Sequence, residues 1–242
     1  MGRAHEVRKV AMERTSLMKS KLYSKFGKEI YMAAKTGGPD PDSNLTLKRV
    51  IERAKQSQVP GDVIKRNIEK SKGGSGEDYF PVRYEGFGPG GSTLIIECLT
   101  DNVNRTFGDV RICFTKTGGK LGVANSVSHM YQYVSLISVK GVDEETALEA
   151  LVEAEVEIED IESEEEVVSV IGAPSDLDKI KDALVATGNE LEFLVDKVTY
   201  IPQEYIDLDD DDLGRFQRFL AMTDELDDVQ EVYHNVNLPN DF

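Results

Sequence analysis

The chain has 242 residues, 40% of them apolar, which is enough for real cores in one large domain or two to three small ones. No run approaches 18 consecutive apolar residues, which excludes a membrane-spanning helix, and the opening MGRAHEVRKV lacks the apolar stretch of a secretory signal, so a cytoplasmic location is expected. The net charge of −17 speaks against a polyanionic partner, but only as an average: residues 1–76 hold 17 Lys and Arg against 8 Asp and Glu, or +9, while residues 77–242 hold 11 against 37, or −26.

The basic segment begins with a polar, helix-compatible stretch that carries Arg3, Arg8, Lys9, Arg14 and Lys19 and few apolar anchors, and it is expected to be mobile until it meets a partner. From Ser20 to Lys35, Leu22, Phe26, Ile30 and Ala33 recur at helical spacing, with Lys21, Lys25 and Lys28 on a neighbouring stripe. Gly37, Gly38, Pro39 and Pro41 stop this helix. A second helix after Ser43 turns Leu47, Val50, Ile51 and Ala54 inward and leaves Lys48, Arg49, Arg53 and Lys55 outside. A third begins at Pro60, carries Ile64 and Ile68 inward, and presents Lys65, Arg66 and Lys70. The segment reads as a helical bundle with a basic exterior. Its candidate nucleic-acid contacts are Arg3, Arg8, Lys9, Arg14, Lys19, Lys21, Lys25, Lys28, Lys48, Arg49, Arg53, Lys55, Lys65 and Arg66.

GGSG at 73–76 marks a junction beyond which the composition changes. Next come an extended piece at Val82–Glu85, a strand at Thr93–Leu99, and a helix at Asn104–Lys116 with Phe107, Val110 and Phe114 on one face and Gly118 as its cap. Residues 133–201 run strand, helix, strand, strand, helix, strand, which is the ferredoxin-like order. The strands are placed at Val134–Val139, Val156–Ile161, Val167–Ile171 and Val195–Ile201. The first helix uses Leu148, Leu151 and Val152; the second starts at Ser175 as N-cap and buries Leu177, Ile180 and Leu184. Asp209–Asp212 then place negative charge at a helix N-terminus, and VQEVYHNV forms a last strand able to pair with those before the insertion. The fold class is α+β in three domains: a helical bundle at 1–76, a discontinuous α+β domain from 77–132 and 202–242, and an inserted ferredoxin-like domain at 133–201.

Catalytic and cofactor motifs fail on context. Gly86, Gly88 and Gly91 spell G-x-G-x-x-G, but GFGPGG leads into a strand rather than a helix, so it reads as a tight turn and not a dinucleotide site. His5, His129 and His234 lack ligand-spaced partners, and Cys98 and Cys113 stand among apolar residues as buried reduced thiols. The polar cluster Thr100, Asp101, Asn102, Asn104, Arg105 and Thr106 lies where a strand hands over to a helix, which capping and turn formation explain. The acidic stretch Glu153–Glu166 reads as a solvated face. No metal, cofactor or catalytic group is expected.

The runs RYEGFGPGGSTLIIECLTDNVNRTFGDVR, FTKTGGKLG, NSVSHMY, IPQEYIDLDDDD and DDVQEVYHN resemble the YebC/PmpR family over nearly the whole chain. The opening GRAHEVRKVAMERTSLMKSKLYSKFGKEI is similar to the YeeN-type branch. That resemblance implies an N-terminal helical bundle, a second α+β domain and a ferredoxin-like third domain inserted into the second. It also implies a DNA-binding transcriptional regulator, or, as in a mitochondrial relative and in ribosome-associated members, a translation factor on ribosomal RNA. The basic bundle suits either polyanion, and a ligand-sensing or scaffold role for the ferredoxin-like domain is the third reading.

Overall fold

The computed structural model describes residues 19–73 and 78–239. Three helices come first: α1 (Lys19–Gly37), α2 (Leu45–Gln56) and α3 (Gly61–Lys72). Their apolar stripes meet in one core that contains Phe26, Ile30, Leu47, Ile51, Ala54 and Ile64, with Leu22, Tyr23 and Ile68 packed at its edge. Asn44 fixes the α1–α2 corner. Its Oδ1 accepts from the Leu47 amide at 3.1 Å and its Nδ2 donates to the Ala33 carbonyl at 2.8 Å, so the N-cap of α2 is Asn44.

The first sheet has the order β3-β1-β2-β8 and is antiparallel throughout: β1 (Phe80–Phe87), β2 (Thr93–Thr100), β3 (Lys120–Leu121) and β8 (Val229–His234). The late strand β8 therefore pairs with β2, as the alternation of VQEVYHNV suggests. Helices α4 (Val103–Lys116) and α7 (Asp210–Asp224) supply its core, where the Phe114 and Phe219 rings meet edge-on at 4.8 Å. Within GFGPGG, Gly86 and Phe87 end β1, and the rest joins it to β2 through a single 3₁₀ turn at Pro89–Gly91. A Cβ on Gly86 would stand 2.6 Å from the Phe114 ring and 2.7 Å from the Lys120 carbonyl oxygen, so packing accounts for that glycine.

The second sheet has the order β5-β6-β4-β7, also antiparallel: β4 (Tyr131–Lys140), β5 (Asp160–Glu164), β6 (Val167–Gly172) and β7 (Glu192–Pro202). Helices α5 (Glu144–Glu153) and α6 (Leu177–Ala186) pack on it over Ile137, Val139, Val168 and Val170. This is the ferredoxin-like βαββαβ arrangement. Of the described residues, 19–127 with 208–234 form one compact unit and 128–207 with 235–239 another. The division thus gathers the bundle and the first sheet together.

Four local expectations differ, the first on α4, where Val110 and Phe114 are buried but Phe107 is 45% exposed. On α5 the buried residues are Ala147 and Leu151, while Leu148 and Val152 are 42% and 68% exposed. The strand expected at Val156–Ile161 begins at Asp160. Its start is delayed because Glu155 adopts φ +54°, and the Glu155 and Val156 amides donate back to the Val152 and Leu151 carbonyls, a Schellman closure that consumes those residues. Ser175 sits inside a 3₁₀ turn at Pro174–Asp176 and does not cap α6.

Cys98 and Cys113 are both buried and free. Burial pushes their thiols up, to about 12 for Cys98 and about 11 for Cys113, which removes the nucleophilic thiolate at neutral pH. Native protein should therefore resist alkylation, and both thiols should react together once denaturant unfolds the chain; rapid labelling without unfolding would contradict this burial. Because no strand joins the two sheets among the described residues, we propose that the ferredoxin-like part is an inserted unit. Replacing 128–207 by a short Gly/Ser linker should leave a remainder that unfolds cooperatively in urea, and a non-cooperative remainder would count against that division.

Candidate nucleic-acid interface

The candidate cations divide into three groups. Arg3, Arg8, Lys9 and Arg14 lie outside the described residues, and Lys19 opens α1. On α2 and α3, Lys48, Lys55, Lys65 and Arg66 are exposed. Lys48 and Lys55 are seven residues apart, so they share one face about 10 Å apart along the axis. Arg49 is half-buried, and Arg53 spans the bundle to Glu29 at 3.2 Å with its guanidinium over the Phe26 ring. The segment from Leu45 to Lys72 holds eight cations and three carboxylates.

The third group is the lysine stripe of α1. Its spacing reads as an outward face for phosphate, but the structure turns the three amines onto the segment Asp224–Asp228 that links α7 to β8. Lys21 Nζ donates to the Asp224 carbonyl at 3.2 Å, and Lys25 pairs with the Asp224 carboxylate at 3.4 Å. Lys28 donates to Asp228 Oδ1 at 2.8 Å and to the Asp227 and Leu99 carbonyls at 2.9 and 3.4 Å. Helical periodicity specifies which residues share a face; it does not identify what that face meets.

Asp228, which the sequence reading passes over, is the centre of this contact. Its Oδ2 accepts from Arg105 Nη2 at 2.7 Å, from the Thr106 hydroxyl at 2.8 Å and from the Thr100 hydroxyl at 3.1 Å. Burial pushes the carboxyl upward, but the bonds from Arg105, Lys28 and Thr106 outweigh it and hold the group at about 2. The cluster read as capping does cap, since Asn102 Oδ1 accepts from the Arg105 amide at 3.1 Å. Its Thr100, Arg105 and Thr106 serve Asp228 as well. The sequence signal was DELDD at 224–228, four carboxylates in five residues immediately before an apolar strand. Beside the network lies a cleft of about 390 Å³ lined by Ser24, Lys28, Tyr79, Arg105, Asp227 and Asp228 among others. Among the described residues no group of His, Cys, Asp and Glu is arranged to hold a metal, and no helix is long and apolar enough to cross a membrane.

Residues 3–74 match the family model described as the TACO1/YebC protein N-terminal domain, and residues 79–236 match the model of the TACO1/YebC second and third domain. The chain belongs to the TACO1/YebC family. A relative in Alcanivorax borkumensis is 52% identical over 98% of this chain and 100% of its own length, and one in Marinobacter nauticus is 50% identical over 100% of both. Each carries the name "Probable transcriptional regulatory protein". A crystal structure of a conserved hypothetical protein from Aquifex aeolicus shares the fold at a TM-score of 0.79, with 34% identity over 93% of each chain. These relatives place the chain among proteins named as regulators of transcription.

Removing the Asp228 charge takes the counter-charge from Lys28, while Arg105 keeps its pair with Asp101. Asp228→Asn should cost about 3 kcal/mol of unfolding free energy in urea titration, because Lys28 keeps its burial and is deprived of its counter-charge. The pH sign follows from the lowered carboxyl: the stabilisation is complete above about pH 4, where the unfolded group is ionised, and disappears as pH falls through about 2. The bonds from Arg105, Lys28 and Thr106 hold it down against its burial. Acid titration should therefore show a stability loss of about 2 kcal/mol in wild type that Asp228→Asn lacks.

Proposed function

We propose that the protein is a nucleic-acid-binding, non-enzymatic regulator of gene expression that engages phosphate through the outer faces of α2 and α3. The observation that carries this reading is the exposure of Lys48, Lys55, Lys65 and Arg66 on two short helices, in a chain whose remainder from residue 77 is strongly acidic. Lysine and arginine that neutralise phosphates release counterions, so affinity comes without base reading and carries a strong salt dependence. DNA is the leading target, in keeping with the names of the relatives. The same cations would suit ribosomal RNA, the alternative in which the protein acts as a translation factor, because phosphate contact is indifferent to sequence.

Replacing Lys48, Lys55, Lys65 and Arg66 together with Gln should weaken binding to a mixed-sequence duplex and flatten the log–log salt slope by about 0.9 for each phosphate no longer neutralised. A folded variant with an unchanged slope would move the interface elsewhere. Crosslinking in cells and sequencing the recovered nucleic acid distinguishes promoters from ribosomal RNA.

A further inference from the structure

The three-helix core closes on itself. Among the described residues, every member of its apolar cluster lies between Leu22 and Ile68, while the buried Tyr31 ring meets Tyr79 outside the helices. The contacts that seat it on that unit are polar or aromatic: the lysine stripe on 224–228, Lys35 on Asp78, and the Tyr31 ring edge-on to Tyr79 at 5.7 Å. The cleft lined by Ser24, Lys28, Tyr79 and Asp228 runs beside the stripe, so water and salt reach the seam. A self-sufficient headpiece held by a wet, charged seam has the construction of a part that can be released.

The chemistry of the seam names its competitor. Lys21, Lys25 and Lys28 recur on one helical face, and the segment they meet carries Asp224, Glu225, Asp227 and Asp228 together with inward-turned carbonyls. A row of ammonium groups against closely spaced oxyanions and carbonyl oxygens is the pairing that a phosphate backbone would make. We propose that the acidic segment 224–228 is a tethered competitor that occupies the α1 lysine stripe and withholds it from nucleic acid, so that release of the segment adds a second cationic face to the one on α2 and α3. This rests on the nucleic-acid reading above and deepens it: the protein would have a weak, latched mode and a tighter, unlatched one. Any event that draws the DELDD segment away, including a basic partner protein, would switch between them.

The test compares full-length wild type with Asp224→Asn/Asp228→Asn and, to leave the Arg105–Asp228 network intact, with Asp224→Asn/Glu225→Gln/Asp227→Asn. The probe is a fluorescent duplex of about 20 base pairs and mixed sequence, titrated at several salt concentrations. The unlatched variants should bind more tightly, with a salt slope steeper by about 0.9 for each lysine freed. Lys21, Lys25 and Lys28→Gln should abolish that gain in the unlatched background, because these are the lysines that the variants release. Amine acetylation followed by mass spectrometry gives a readout that needs no nucleic acid: Lys25 should be protected in wild type and reactive in both variants, and Lys28 should become reactive only where Asp228 is replaced. Binding by wild type and variants with one common slope, or equal reactivity of Lys28 in wild type and in Asp224→Asn/Asp228→Asn, overturns the latch. Absence of binding by any of them, with the reactivity difference present, overturns the nucleic-acid reading and leaves the release of the stripe standing.

Discussion

Taking a carboxylate out of water costs several kcal/mol unless opposite charge and hydrogen bonds replace the missing solvent. Asp228 is 8% exposed, and it meets that requirement only by drawing on three distant stretches of the chain: Lys28 from α1, Thr100 from the end of β2, and Arg105 with Thr106 from α4. Its backbone takes part too, accepting from the Leu99 amide at 2.8 Å and so continuing the edge of the first sheet. The seat of the bundle, the hand-over from β2 to α4 and the entry to β8 are therefore parts of one solution to a single electrostatic problem. Altering Asp228 leaves the buried Lys28 amine without its counter-charge, and altering any one partner removes part of what offsets the burial of Asp228.

That arrangement explains how one compact unit can contain two cores. The cluster from Phe26 to Ile64 and the aromatic packing of Phe114 on Phe219 are separate, and between them runs a charged network with an open cleft beside it. Apolar burial is nondirectional and tolerates sliding, whereas a lysine that must reach a carboxylate and two carbonyls tolerates little. A polar seam of this kind fixes geometry while it is closed and offers little resistance from hydrophobic area to opening.

Much of the architecture was legible in the sequence because it depends on local periodicity. Phe26, Ile30 and Ala33 on α1, and Leu47, Val50, Ile51 and Ala54 on α2, lie buried where helical spacing put them. The alternating strands fell into two antiparallel sheets, and GFGPGG formed a turn because no helix followed it. Misreadings arose where a local choice was settled by tertiary contact or by backbone closure. On α5, Leu148 and Val152 are as apolar as Leu151, and only the position of the sheet decides that Ala147 and Leu151 face it. Near Val156 the alternation extends without a break through a Schellman turn, which a non-glycine residue, Glu155, completes at positive φ. The site was less legible than the fold. Lys28 and Asp228 are 200 residues apart, and nothing in either neighbourhood encodes the other.

By the same distinction between local and distant charge, a net charge of −17 does not by itself oppose the polyanionic partner proposed above. At physiological ionic strength exposed charges are screened over about 8 Å, so carboxylates farther than that from α2 and α3 do little to oppose phosphate there. Carboxylates that touch a cation escape the screening. Asp224 and Asp228 lie 3.4 and 2.8 Å from the amines of Lys25 and Lys28, with no room for intervening ions, and they act on those amines at full strength. The sum of charges over the chain is thus a poor guide to which cations are available, and the immediate neighbour of each cation is a good one. Of the lysines and arginines that periodicity places outside, those of the α1 stripe are matched within the molecule, whereas Lys48, Lys55, Lys65 and Arg66 on α2 and α3 are exposed.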